Sequence, residues 1–254
     1  AICFSFLLVP LSNISHVGIT SPMIWIMFIV AVIFLVLFKK HCDKRETPLL
    51  NLTILRTPAF TFSLVALLLC QFFTLARGFM IPNFFQLTNG DSALLSGCII
   101  LPACLIGAIS NPFSGRLYDQ VGPKLPITLG YALIFIEVTL EMFFMCHVSA
   151  YVMMGIAVIF CLGQSLCTGN TTTFALRSLP EMRTADGTAI VNTMQQLFGA
   201  VGTAIASTVV SFGQAAHADD LAVGTQVGTQ WALYMIFVLA IVMMACALKG
   251  LRSQ

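Results

Sequence analysis

The stretch GRLYDQVGPK (residues 115–124) is a short polar interruption between two long apolar runs, 92–114 and 125–146. Neither run alternates between apolar and polar residues, which favours helices over the short strands of a membrane barrel. Each run reaches the length of about 20 residues that a helix needs to cross a bilayer. The stretch therefore predicts two membrane-spanning helices that are joined by a tight turn.

The same pattern of long apolar runs and short polar breaks continues along the whole chain. Hydrophobic residues make up 58% of the 254 residues and charged residues only 9%, whereas a soluble domain carries about 25% charged residues. This composition excludes a soluble enzyme, a nucleic-acid-binding protein and a disordered tail, and it predicts an all-α polytopic bundle. The predicted spans are Ala1–Leu11, Pro22–Phe38, Pro58–Met80, Ser92–Ser114, Leu125–Cys146, Ala150–Leu176, Ala185–Phe212 and Thr229–Lys249.

The basic residues predict the orientation of these spans. Every Lys and Arg except Arg77 falls in alternate breaks, and the positive-inside rule places those breaks in the cytoplasm. A multi-pass protein of the plasma or inner membrane, with both chain ends cytoplasmic, follows from this pattern. Arg77 lies near the outer end of its run, where we expect its side chain to extend to the membrane interface. Because Ala1–Leu11 is too short to cross a bilayer, we expect the chain to be the C-terminal piece of a longer protein.

Residues 115–124 resemble the signature loop of the major facilitator superfamily, Gly-x-Leu-x-Asp-x-x-Gly-x-Lys/Arg. The resemblance implies that this loop stabilises one conformational state through charge pairs. We expect Asp119 to accept hydrogen bonds from the start of the next helix or to pair with a basic residue, and Gly115 to allow close helix contact. The residues assigned to this motif are Gly115, Arg116, Asp119, Gly122 and Lys124.

A second resemblance covers residues 186–204, which are similar to the penultimate helix of fourteen-helix drug:proton antiporters of the QacA/EmrB type. Gln195 stands where that family usually has Arg. The resemblance implies two linker helices at 1–38 (the first truncated), a cytoplasmic loop at 39–56 and the C-terminal six-helix bundle at 57–250. The partner that completes the transporter would then be an N-terminal half that is absent from this chain.

Polar residues inside the apolar runs mark either packing contacts or a transport pathway. The glutamates are four residues apart and share one helix face, which makes them proton-coupling candidates by composition. The resemblance places their helix at the periphery of the bundle and favours a protonated glutamic acid that is bonded to a neighbouring helix. The resemblance also indicates which spans line the cavity. The proton-coupling candidates are Glu137 and Glu141, and the substrate-cavity candidates are Gln71, Gln164, Asn192 and Gln196.

The two resemblances together imply a secondary active transporter that exports drugs or other small amphipathic molecules in exchange for protons by alternating access. Its partners would be the bilayer, a small-molecule substrate and protons, with no nucleic acid and no bound cofactor. A membrane-embedded enzyme is disfavoured, since the sequence has no convergent His, Asp, Glu and Cys cluster, and no metal site is expected. The remaining alternative is a structural or regulatory membrane subunit, as a truncated half-transporter would be.

Overall fold

The computed structural model describes residues 52–253, and these residues form helices and short connections without any strand. The predicted spans 1–11 and 22–38, and most of the predicted loop 39–56, lie outside the described residues. Short 3-10 turns occur at Leu52–Arg56 and Glu181–Arg183. The α-helices are α1 (Pro58–Thr88), α2 (Ala93–Cys98), α3 (Leu101–Val121), α4 (Lys124–Phe144), α5 (Ala150–Arg177), α6 (Thr184–Ala216) and α7 (Leu221–Arg252).

Six units of this helical array are long and apolar enough to cross a membrane: α1, the α2–α3 pair, α4, α5, α6 and α7. The predicted all-α, multi-pass bundle is therefore confirmed for the described residues. Many large apolar side chains remain exposed on the outside of the bundle, for example Ile109 and Phe113 on α3. Such a surface is suited to lipid or to another apolar bundle, because it would be costly in water.

Several helices extend beyond the predicted apolar runs. With 31 residues, α1 is about 46 Å long, longer than the roughly 30 Å hydrocarbon core, and it continues past Met80 to Thr88. The last helix, α7, begins at Leu221 rather than Thr229 because Asp220 caps it, accepting hydrogen bonds from the backbone N–H groups of Ala222 and Val223. An apolar run indicates which part of a helix lies in the hydrocarbon layer, whereas capping residues determine where the helix begins and ends.

The predicted span Ser92–Ser114 is divided into α2 and α3. The break falls at Ile99 and Ile100, and α3 then begins with Leu101, so that Pro102 lies in its first turn. Proline is favoured at that position, since it has no N–H group to donate to the preceding turn. The second proline of this region, Pro112, lies inside α3 without ending it.

The helices pack in two connected groups around α1 and α5. Helix α1 lies along α5, α6 and α7, while α4 packs against α5 and α7, and α3 packs mainly against α5. Glycines permit the closest crossings: a Cβ atom on Gly130 of α4 would lie 2.7 Å from Cβ of Cys167 on α5. Similarly, a Cβ atom on Gly202 of α6 would clash with the carbonyl oxygen of Phe72 on α1. Helices α3 and α1 each pack against α5, so these three helices lie beside one another.

Candidate functional site

A cavity of about 360 Å³ lies between α3 and α5, at the middle of α5 and in the first half of α3. The two helices approach each other closely at Gly107, where a Cβ atom would be 3.2 Å from Cβ of Cys161. Beside this crossing the helix surfaces separate and leave space. The lining residues are Cys104, Gly107, Ala108 and Asn111 of α3, and Cys161, Gln164, Ser165, Thr168 and Gly169 of α5.

The amide of Gln164 is the polar group at this cavity that the structure orients most clearly. Its Nε2 donates a hydrogen bond to Oγ1 of Thr74 on α1 (3.0 Å), and Thr74 in turn donates to the carbonyl oxygen of Cys70 (2.8 Å). The amide is thereby fixed at the wall of the cavity. Its placement agrees with the predicted role of Gln164 as a cavity residue, and that role stays a prediction.

The other three predicted cavity residues lie elsewhere. Gln71 is partly buried between helices, since a Cβ atom on Gly199 of α6 would be 3.3 Å from its Cγ. Asn192 and Gln196 are exposed on α6, four residues apart and therefore on one face. None of the three lines the α3–α5 cavity. The sequence did not single out Asn111, Ser165 or Thr168, although Asn111 is a polar residue within an apolar run.

Arg77 lies inside the bundle, and the expectation that it reaches the membrane interface is wrong. Only 5% of its surface is exposed. Its Nε donates to both carboxylate oxygens of Glu141 (2.9 Å each), and its Nη2 donates to Oε1 of Glu141 (2.6 Å) and to Oε1 of Glu137. The guanidinium carbon also lies 4.0 Å from the ring centroid of Phe160 on α5. The two predicted glutamates are thus brought together on one arginine from another helix.

A second, smaller cavity of about 60 Å³ lies next to this ion cluster. Arg77 and Phe160 form part of its wall, together with Thr74. Three further wall residues, Cys104, Cys161 and Gln164, also line the larger cavity. Arg77 is therefore separated from the larger cavity by a single layer of side chains, and this layer lines both cavities.

The predicted signature loop is mostly helical. Residues 115–121 form the last turns of α3, and only Gly122 and Pro123 connect it to α4. Gly122 has φ +83°, a left-handed conformation that glycine adopts without strain. The expected close contact at Gly115 is not found, since a Cβ atom there would have no neighbour within 4 Å.

The charged residues of this motif are exposed to the outside of the bundle. Arg116, Asp119 and Lys124 all have exposed side chains. Within the described part of the chain, Asp119 makes neither a hydrogen bond nor an ion pair, so the expected bonds to the start of α4 are not observed. Tyr118 is buried instead, and the guanidinium of Arg177 lies 5.5 Å from its ring centroid.

The fold and the cavity define a class of protein, a multi-pass helical membrane protein with a partly polar cavity between its spans. Among residues 52–253 no group of three or more His, Cys, Asp or Glu side chains is placed to hold a metal ion. The sequence model of the Major Facilitator Superfamily matches residues 3–203. The chain therefore belongs to the major facilitator superfamily, which is a family of membrane transporters and not of enzymes.

Several curated relatives are similar over most of this chain. The lincomycin resistance protein LmrB of Listeria monocytogenes is 31% identical over 212 residues, which are 82% of this chain and 44% of that protein. LmrB of Bacillus subtilis is 31% identical over 201 residues, 78% of this chain and 41% of that protein. The multidrug resistance protein Stp of Mycobacterium tuberculosis is 24% identical over 198 residues, 77% of this chain and 36% of that protein. The chain thus spans less than half the length of these relatives.

Proposed function

We propose that the chain is the C-terminal part of a proton-coupled exporter of drugs or other small amphipathic molecules, located in the plasma or inner membrane. In this proposal residues 57–250 form the C-terminal six-helix bundle, residues 1–38 contribute two linker helices and residues 39–56 a cytoplasmic loop. A second bundle, supplied by an N-terminal half, completes the substrate site. Transport then proceeds by alternating access of that site to the two sides of the membrane.

The observation that carries this proposal is the α3–α5 cavity with the oriented amide of Gln164. The cavity lies at mid-helix depth, where secondary transporters bind substrate between their two halves, and Asn111 and Ala108 on its rim are exposed. Its lining mixes apolar groups with a few amide and hydroxyl groups, which suits an amphipathic ligand. The names of the lincomycin and multidrug resistance relatives support antibiotics as the substrate class.

Residues outside this cavity complete the proposed substrate site. Asn192 and Gln196 present their side chains on one exposed face of α6, which is suited to contact with the second bundle or with substrate. Gln71 of α1 packs against Gly199 of α6 and is not part of the wall of the α3–α5 cavity. In this scheme Gln164 makes the strongest polar contact with the substrate.

The test is an efflux assay on cells that express the gene product containing this chain, with lincomycin as the probe. We expect Gln164→Ala to raise the lincomycin concentration for half-maximal efflux about three- to tenfold, equivalent to a lost hydrogen bond of about 0.5–1.5 kcal/mol. The matched control is Gln86→Ala, which removes an exposed glutamine in the last turn of α1, away from the α3–α5 cavity. The uncoupler-treated cell serves as the second control, because proton-coupled efflux stops when the gradient collapses.

Three outcomes would contradict the proposal. Efflux that continues after uncoupling would exclude proton coupling, and equal effects of Gln164→Ala and Gln86→Ala would exclude the cavity assignment. If the gene product moves none of a panel of antibiotics, the structural or regulatory subunit becomes the better assignment.

A further inference from the structure

Arg77, Glu137 and Glu141 form a buried group of one basic and two acidic side chains, called here the Arg77 cluster. Both glutamates are completely buried. Glu141 binds the guanidinium with both oxygens, whereas Glu137 binds it with Oε1 alone. The second oxygen of Glu137, Oε2, is buried and has no hydrogen-bond partner. The two acids are therefore inequivalent, and one carboxylate oxygen is left unused.

No second cation faces the cluster from the described helices. The thiols of Cys161 on α5 and Cys104 on α3 are titratable groups that share the small cavity with Arg77. Helix α7, which packs along α4, has no charged residue between Leu221 and Lys249. Lys249 lies at the far end, where its Nζ is 4.8 Å from the ring centroid of Phe62. With both acids ionised, the cluster would carry one uncompensated negative charge.

An uncompensated charge inside a membrane bundle is costly, and a bound proton removes it. We infer that the Arg77 cluster is the proton-binding site of the transporter, and that Oε2 of Glu137 is the atom that binds and releases the proton. Glu141 and Arg77 form the fixed ion pair beside it. This inference rests on the proposed proton-coupled transport, and it assigns the coupling to one oxygen atom.

The position of the cluster connects proton binding with the proposed substrate site. On release, the O–H bond of Glu137 breaks, the electron pair stays on Oε2, and the proton passes to a water molecule that reaches the cluster past Arg77, since Arg77 lines the small cavity and Glu137 does not. The new negative charge attracts the guanidinium of Arg77 more strongly, away from Phe160. Because Arg77 and Gln164 are walls of the same small cavity, this movement changes the packing next to Gln164.

The experiment compares two transport reactions of the gene product in inside-out membrane vesicles, with radiolabelled lincomycin as the probe. One reaction is accumulation driven by an acidic vesicle interior, and the other is exchange of labelled for unlabelled lincomycin without a gradient. We expect Glu137→Gln to lose gradient-driven accumulation and to retain exchange, since Gln keeps the Oε1 acceptor and cannot release a proton. The matched control, Asp219→Asn, removes an exposed carboxylate and is expected to retain both reactions.

The outcomes separate this inference from the proposed function. If the wild-type protein accumulates lincomycin and Glu137→Gln does so equally well, the assignment to Glu137 is overturned while proton-coupled transport stands. If the wild-type protein exchanges lincomycin without responding to the gradient, proton coupling and this inference are both overturned. Loss of accumulation in Asp219→Asn as well would show that the effect is not specific to the cluster, and would also overturn the inference.

A measurement on the wild-type protein keeps the inference testable if Glu137→Gln does not fold. Infrared spectra of the purified protein in lipid should contain the carbonyl stretching band of a protonated carboxyl group at neutral pH. That band should shift in heavy water and should disappear when the pH is raised. A spectrum that shows only ionised carboxylates at neutral pH would overturn the inference.

Discussion

The charged residues at the two ends of α4 have opposite environments, since those at one end are buried and paired and those at the other end are exposed. Near its last turns, Glu137 and Glu141 are completely buried and bind Arg77 of α1. At its start, Lys124 is exposed together with Asp119 at the end of α3. The acids of the first region have their partner within the chain, whereas Asp119 has no partner among the described residues. The first region thus joins α4 to α1 within the bundle, whereas the charged side chains of the second region are exposed at its surface.

Buried and exposed charges have different requirements in a membrane bundle. A buried charge must be paired where it lies, because neither lipid nor a packed core solvates it. A charge at the membrane surface needs no internal partner, so its contribution to stability is small.

Arg77→Ala should cause the largest loss of stability. The substitution leaves two buried acids without the cation that binds both of them, and breaking a buried ion pair costs about 3–5 kcal/mol. Denaturant unfolding of the purified protein in detergent measures the change. Lys124→Ala, which removes an exposed cation, is the control. If Arg77→Ala lowers the free energy of unfolding no more than Lys124→Ala does, the two ends of α4 do not differ in the way described.

Glu141→Gln should lower stability by about 1.5–3 kcal/mol, the range for hydrogen bonds that involve charged groups. Glu137→Gln should lower it by less, because Glu137 accepts one hydrogen bond from Arg77 whereas Glu141 accepts three. The same unfolding measurement gives both values. Equal losses for the two variants would mean that the acids are equivalent, contrary to their geometry.

Gly202→Ala should lower stability by about 1–3 kcal/mol, since overpacking forces the helices apart. The added methyl group would meet the backbone of Phe72 on α1, which cannot rotate away. Gly115→Ala in the signature motif is the matched control, because its methyl group would have no neighbour within 4 Å. Thermal unfolding of both variants compares the buried crossing with the exposed motif. A larger loss for Gly115→Ala would contradict the described packing.

Asp119→Asn should change stability by less than about 0.5 kcal/mol, as is usual for an exposed residue without partners. We expect lincomycin efflux by the gene product to fall nonetheless, because the motif is expected to stabilise one transport state through charge pairs. Unfolding in detergent and efflux in cells are measured on the same variant. A large loss of stability would show that Asp119 has a partner within the bundle.

The sequence predicted the helices of this fold well and their ends poorly. Long apolar runs identify each described span from Pro58 onward, since only helices satisfy their own backbone in lipid. The position of Arg77 was misjudged because the run was assumed to end at Met80, whereas α1 continues to Thr88 and places Arg77 deeper. Hydropathy does not identify the polar turns by which a helix extends beyond the hydrocarbon layer into the headgroup layer.

The candidate site was predicted in part. The spacing of Glu137 and Glu141 indicated a shared face, and Gln164 does line the cavity. The partner of the glutamates was missed, although Arg77, Glu137 and Glu141 are the only charged residues within the predicted apolar runs between Pro58 and Cys146. Three such charges would be expected to meet, because each is costly alone. Which polar residues face the cavity depends on helix rotation, which a nearly uniform apolar sequence does not determine.

The two-residue connection at Gly122 and Pro123 has a consequence for how the protein is synthesised. Helices α3 and α4 must enter the membrane as one hairpin, since so short a connection keeps their joined ends on the same side. The two helices of this hairpin contact each other little, and both pack along α5, which is synthesised after them. Both helices of the hairpin therefore reach their final packing only when α5 is present, because α5 supplies the main contacts of each.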